Sequence, residues 1–166
     1  MAGNKYISNN AGVLTEVAGN NTAATANAIV ALDASGLINV AQMPSGIGPD
    51  TASVVSSELL VAGNYVNIYS NAGAFNCRKA DASTAGKEAH GFVLAGVAIL
   101  GTATVYFEAT NTQVTGQTPG VVYLSTTAGA GQATAPAGSG NVVQRIGFAT
   151  SATAVNFQSQ PPVVLA

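Results

Sequence analysis

The sequence predicts an all-β protein: a compact β-barrel or β-sandwich with an internal pseudo-duplication, preceded by an extended N-terminal arm with a small hairpin. Apolar and polar residues alternate at period two in several short runs, and Gly, Asn and Ser separate those runs. No window carries the 3.6-residue apolar stripe of an amphipathic helix, and period two is the mark of strands, whose successive side chains point to opposite faces.

Residues 1–50 read as the arm, because they show little periodicity and are rich in Asn, Ala, Gly and Thr, as in Ser8-Asn9-Asn10-Ala11-Gly12 and Gly19-Asn20-Asn21-Thr22. Within the arm, Ile29-Val30-Ala31-Leu32 and Leu37-Ile38-Asn39-Val40 flank Asp33-Ala34-Ser35-Gly36. That tetrapeptide has turn chemistry, Asp to start it and Gly to take a positive φ, so a small hairpin is expected there. Met43-Pro44-Ser45-Gly46-Ile47-Gly48-Pro49 resists helix and sheet alike, since each proline removes a donor, and it serves as the linker.

Residues 51–166 form the β body. Ala103, Val105 and Phe107 alternate with Thr104, Tyr106 and Glu108; Val142, Gln144, Ile146 and Phe148 alternate with Val143, Arg145 and Gly147; Val155 and Phe157 alternate with Ala154, Asn156 and Gln158. Further strands are expected at 53–61, 65–69, 74–80, 90–100, 121–125 and 163–165, with one helical turn as an option at 56–62. The apolar window 91–100 is far shorter than the ~20 residues of a membrane-spanning helix and reads as a core strand.

The body repeats itself at one offset of 56 residues: Val66 falls on Val122, Ala72-Gly73-Ala74 on Ala128-Gly129-Ala130, Ser83 on Ser139, Gly91-Phe92 on Gly147-Phe148 and Ala98 on Ala154. No gap is needed between Val66 and Ile99. Each copy would leave an apolar face uncovered, so the two are expected to pack together and bury both faces in one core. Glycine before phenylalanine in each copy predicts a bend where backbone passes close to a ring, with a bulge at Gly91 and Gly147.

Hydrophobic residues make up 48% of the chain and charged residues 7%, against roughly 25% charged in an average soluble domain. The surface is therefore Ser, Thr, Asn, Gln, Ala and Gly, which suits close neutral packing against neighbours in an assembly. The basic residues Lys5, Arg78, Lys79, Lys87 and Arg145 are scattered and the net charge is -2, so no phosphate-neutralising stripe exists and nucleic acid is not an expected partner. Cys77 is the single cysteine, which excludes an intrachain disulfide. The first residues, Met1-Ala2-Gly3-Asn4-Lys5-Tyr6, contain no apolar h-region, so neither a secretory leader nor a membrane partner is expected.

Catalytic equipment is sparse. His90 is the one histidine and has no Gly-x-Ser-x-Gly elbow to accompany it. Asp81 and Glu108 have no spacing that rules out a glycosidase pair, but the chain has no Trp platform for a sugar. Asp81-Ala82-Ser83-Thr84 offers oxygens without any calcium-loop pattern, and the glycines from Gly129 to Gly140 lack the Lys-Ser/Thr of a phosphate loop. The expectation is no enzyme, no metal and no cofactor.

The stretch Ala80-Asp81-Ala82-Ser83-Thr84-Ala85-Gly86-Lys87-Glu88-Ala89-His90-Gly91-Phe92-Val93, with Pro119-Gly120-Val121-Val122-Tyr123-Leu124-Ser125 and Asn141-Val142-Val143-Gln144-Arg145-Ile146-Gly147-Phe148-Ala149, resembles capsid decoration (structural cement) proteins of tailed bacteriophages. The arm motif Val30-Ala31-Leu32-Asp33-Ala34-Ser35-Gly36-Leu37-Ile38 looks like a turn segment of phage virion proteins, fibres included. The resemblance implies a homotrimer, made in the host cytoplasm and placed on the capsid exterior of the virion, whose partner is the major capsid protein. On that reading Ile29, Val30, Leu32, Ile38, Val40 and Met43 are the capsid-binding anchors of the arm; the alternative is that they cover the barrel of their own chain. The competing function is a trimeric head- or tail-fibre module that binds a host surface ligand. A small hydrolase is the third and weakest reading.

Overall fold

The computed structural model of the chain describes residues 5–10, 12–18, 32, 36–38, 43 and 48–166. The chain divides into two units, Met1–Gly48 and Pro49–Ala166, and the described residues contain strands, turns and bends but no helix. The optional turn of helix at 56–62 is therefore not formed.

In the first unit, β1 (Lys5–Asn10) and β2 (Val13–Ala18) make an antiparallel hairpin, with Lys5 opposite Ala18 and Asn10 opposite Val13. Gly12, at φ +88°, supplies the left-handed residue that lets so short a connection follow the strand twist. The hairpin stands where the sequence, by its lack of periodicity, predicts only extended arm. Of the hairpin expected around 33–36, Ile29, Val30, Asp33, Ala34, Ser35 and Val40 lie outside the described residues; Gly36 has φ +78°, as its turn role requires.

The second unit holds β3 (Thr51–Ser56), β4 (Tyr65–Asn71), β5 (Ala74–Lys79), β6 (Gly91–Phe92) and β7 (Thr102–Tyr106), followed by β8 (Ala109–Asn111), β9 (Gly120–Leu124), β10 (Gly131–Gln132), β11 (Val142–Val143), β12 (Arg145–Ser151), β13 (Ala154–Phe157) and β14 (Val163–Val164). Strands β3 to β7 close a barrel in the order β3-β5-β4-β6-β7. Its pairs are antiparallel except β3 with β5, a parallel contact of Val55 with Asn76 and Ser56 with Cys77 that closes the cylinder. A five-stranded sheet follows in the order β10-β9-β12-β13-β8, and β11 pairs with β14 beside it.

The duplication is visible in strand order and in register. Read as β5-β4-β6-β7-β3, the barrel matches β10-β9-β12-β13-β8 strand for strand. Adding 56 to each number of the pairs Tyr65↔Phe92 and Val66↔Gly91 gives Val121↔Phe148 and Val122↔Gly147, which are the pairs found. One offset does not serve to Ile99, however. Phe92 and its partner Tyr106 are 14 residues apart, whereas Phe148 and its partner Asn156 are 8 apart, so the second copy is 6 residues shorter between these strands. The match of Ala98 with Ala154 thus has no structural counterpart.

The copies do not share one core face to face. Val54, Leu60, Val66, Cys77, Val93, Ala103 and Val105 fill the barrel with first-copy residues alone. A second core combines Tyr65, Ala80, Ala82, Ala89 and Phe92 from the barrel's outer side with Val122, Leu124, Val142, Ile146, Val155 and Phe157. Val66 and Val105 point into the barrel, while Val122 and Val155, at the matching places of the second copy, point at the barrel's aromatic outer face. The copies therefore stack front to back. Two ring contacts join them, Tyr65 with Phe157 at 5.8 Å and Phe92 with Phe157 at 5.6 Å between centroids, and Tyr106 of the first copy backs Phe92 at 5.4 Å. Such pairs add about 0.5–1.5 kcal/mol each beyond area burial.

This stacking explains why only the first copy closes. Strands β8 and β10 remain the two edges of their sheet. The first copy's turn at 63–65 stands at that opening: Asn111 Nδ2 donates to the Gly63 carbonyl at 2.9 Å and the Tyr65 N–H donates to the Gly129 carbonyl at 3.0 Å. A Cβ on Gly63 would run into the Gln113 carbonyl, so only glycine fits the wedge.

Two further expectations are corrected. At Gly91 and Gly147 the close neighbour is a carbonyl of the adjacent strand rather than a ring: a Cβ on Gly91 would lie 2.6 Å from the Tyr106 oxygen, and one on Gly147 would overlap the Asn156 carbonyl. The register slips between Arg145 and Gly147, where Gly147 takes φ +150°, but no slip accompanies Gly91. The apolar window 91–100 is not a core strand either. Only Gly91 and Phe92 are strand, and residues 95, 96 and 98–100 are exposed, because the extra residues of the first copy loop outward between β6 and β7.

Candidate interaction surfaces

His90, Cys77 and several acids of the body make contacts within it. His90 Nδ1 accepts the Ile68 N–H at 3.0 Å. At the matching place of the second copy the Leu124 N–H is bonded by the Gln144 carbonyl at 2.9 Å, so the imidazole stands where a strand carbonyl would be. Cys77 is fully buried in the barrel, and burial pushes its thiol up, against a smaller opposing effect of the Ser56 hydroxyl. A thiol so placed is a poor nucleophile.

Three acids of the body make contacts within it, while Glu108 is exposed. Asp81 accepts the Ser83 N–H at 2.7 Å and Glu88 accepts the Gly86 N–H at 2.9 Å, which orders the loop between β5 and β6 from within. Arg78 seals it by donating Nε to Asn67 Oδ1 at 3.1 Å and Nη2 to the Gly86 carbonyl at 2.7 Å, while its guanidinium lies 4.2 Å from the Tyr69 ring centroid. Glu58 accepts the Lys79 N–H at 2.6 Å. Among the described residues, no group of three or more His, Cys, Asp or Glu stands together where it could hold a metal ion.

The remaining candidates are surfaces, and two are rich in exposed apolar side chains. The first lies on the N-terminal unit. Ile7 and Leu14 are 72% and 70% exposed, and their register against Glu16 and Asn9 puts both on one face of the β1–β2 hairpin; Val13, on the other face, is exposed as well. Of the anchors read from sequence, Leu32, Ile38 and Met43 are exposed, as is Leu37, while Ile29, Val30 and Val40 lie outside the described residues. Sequence reasoning missed Ile7, Val13 and Leu14 because they sit among Asn, Ser and Thr rather than in an apolar run.

The second surface lies on the barrel. Leu60 is buried, and its backbone exchanges hydrogen bonds with Val97, 2.9 Å in one direction and 3.0 Å in the other. Leu59, Val61, Ile99 and Leu100 on these two adjoining segments are all exposed. Elsewhere Phe75 is exposed beside the β4–β5 turn, and Phe148 lies half-exposed under the Arg145 guanidinium, 3.9 Å from its ring centroid.

No family model, no curated protein and no solved structure matches the chain.

Proposed function

We propose that the chain is a virion structural protein that binds the outer surface of an assembled phage capsid and stabilises it without catalysis, as a homotrimer whose partner is the major capsid protein. The observation that carries this reading is the arm hairpin, which presents Ile7 and Leu14 on one face and Val13 on the other. An isolated two-stranded hairpin is marginal in water, so apolar side chains on both of its faces favour a segment that is covered by something else. Extended arms cover much area per residue and fit the grooves between packed subunits. The low charge of the chain, 7% of residues, supports the same reading, since neutral surfaces pack against a shell with little desolvation cost.

The test mixes the purified chain with capsids that lack it and measures binding stoichiometry and the temperature of DNA release. Uptake at a fixed ratio to capsomers, with a higher release temperature, is expected. The double variant Ile7→Asp, Leu14→Asp is expected to lose uptake while the body keeps its unfolding midpoint. No uptake by the unaltered chain, or uptake with no gain in shell stability, sinks the reading; binding of the β body to a surface glycan would favour the fibre module instead.

A further inference from the structure

The barrel carries an apolar projection and, beside it, a neutral groove lined by aliphatic, threonine and tyrosine side chains. The projection is the loop that the first copy has and the second lacks. Its backbone is pinned: the Leu100 N–H donates to the Ser56 carbonyl at 2.8 Å, the Ser56 N–H to the Gly101 carbonyl at 2.8 Å and the Gly101 N–H to the Ala98 carbonyl at 2.9 Å. At its tip Ile99 is 62% and Leu100 76% exposed, and Leu100 is held at φ +63°. The left-handed region is rare for bulky residues. Among the described residues, no packing partner accounts for a leucine held exposed on a strained backbone. Nor is the loop needed to join the strands, since the second copy joins β12 to β13 with the short turn at 151–154, which has no large apolar residue.

The groove lies between residues 94–97 and the outer face of β7. It has a volume of about 220 Å³ and is lined by Leu94, Gly96, Val97, Thr102, Thr104 and Tyr106 among others. None of its lining side chains is charged, and none at the projection tip is. A cavity of ~150 Å³ admits a benzene-sized group, so the groove has volume enough for a leucine side chain. Leu100 is exposed and does not line the groove of its own copy.

We propose that the Ile99-Leu100 projection of one copy seats in the groove beside β7 of another, making this face the self-association surface of the β body. A neutral projection entering a neutral groove desolvates no charge, and a preorganised loop loses little entropy on docking. A second copy is the occupant that supplies both complementary parts, because every chain carries the projection and the groove together. The inference deepens the homotrimeric part of the function proposed above and does not depend on the capsid.

The test is sedimentation of the full chain without capsid present, so that its failure stands apart from failure of capsid uptake. The unaltered protein is expected to sediment as an oligomer at micromolar concentration. Leu100→Asp, at a φ that Asp tolerates better than Leu, and Thr104→Arg, which fills the groove from an outward position, are each expected to weaken association at least about tenfold with unchanged circular dichroism. An equimolar mixture of the two variants is expected to recover a two-chain species, since one retains the groove and the other the projection. A monomeric unaltered chain at all concentrations overturns the proposal. So does an undiminished oligomer in both variants, or a mixture that stays monomeric.

Discussion

Gln144 and Ala89 are joined as two peptide groups are joined: the Ala89 N–H donates to Gln144 Oε1 at 2.7 Å, and Gln144 Nε2 donates to the Ala89 carbonyl at 2.9 Å. Gln144 is buried, and the pair ties the second copy to the strand-like segment that leads into β6 of the first. Its removal strands a buried donor more than an acceptor, because the Ala89 carbonyl also accepts the Ser159 hydroxyl at 3.0 Å. Gln144→Leu is therefore expected to destabilise the body by about 1–3 kcal/mol in urea unfolding, through the orphaned N–H.

Gln144→Glu tests the same contact through pH. A buried carboxyl is held toward its neutral form, so its folded-state pKa lies above the unfolded value near ~4.3. The native state then binds more protons than the unfolded one, and stability falls as pH rises from the unfolded toward the folded value. The variant is expected to approach wild-type stability below about pH 4 and to be clearly less stable at pH 7. Equal deficits at both pH values would refute the contact's role.

Tyr65 is fully buried and its hydroxyl makes no hydrogen bond among the described residues. Desolvation pushes the phenol far above its ordinary range, and the neighbouring Asn111 amide offsets this only in part, since its Nδ2 is given to Gly63 and its Oδ1 to the Gln113 N–H. Tyr65→Phe is expected to be neutral or to stabilise by up to about 1 kcal/mol, because it removes an unpaired polar atom. The raised value also means that stability drops as pH rises above the unfolded phenol value near ~10, and Tyr65 is expected to ionise only with unfolding, as read by ultraviolet absorbance.

Cys77 offers a probe of the barrel interior. Its thiol is buried and pushed up by desolvation, so alkylation at pH 8 is expected to be slow in the native protein and fast in denaturant. Labelling that proceeds at the free-thiol rate in native buffer would mean that the barrel opens readily.

Gly147→Ala places a methyl group against the Asn156 carbonyl at φ +150° and is expected to cost about 2 kcal/mol or more. Gly73, at φ +90°, has no atom within 4 Å of the added carbon, so Gly73→Ala is expected to cost only the left-handed conformation, about 1 kcal/mol. Thermal midpoints in that order would separate crowding from backbone preference.

Much of the body was legible in the sequence, since β7, β12 and β13 fall where period two placed strands, and β4, β5 and β9 where other β-prone runs did. The polar clamp was signalled as well: Gln144 keeps the inward phase of Val142 and Ile146, and a polar residue in that phase must find partners. Phe148 breaks the phase because the slip between Arg145 and Gly147 turns the chain over, which alternation alone does not reveal. Barrel closure was hidden because it rests on the parallel contact of Val55 with Asn76, a pair remote in sequence. The exposed loop at 95–100 was misread because apolar content reports affinity for a dry surface, not whether that surface belongs to the same chain. The arm hairpin escaped notice for the opposite reason, its apolar residues being few and diluted by Asn and Thr.

The front-to-back stacking also sets an order of assembly. The barrel interior contains no residue beyond Phe107, so it is complete once that residue is available, whereas the second sheet has no interior until Tyr65 and Phe92 are presented to it. On a ribosome the first half is therefore the mandrel on which the second is wound, as domains fold in order of emergence. A chain cut after Phe107 would hold its shape yet carry an oily aromatic flank, and the complementary fragment would have nothing around which to condense.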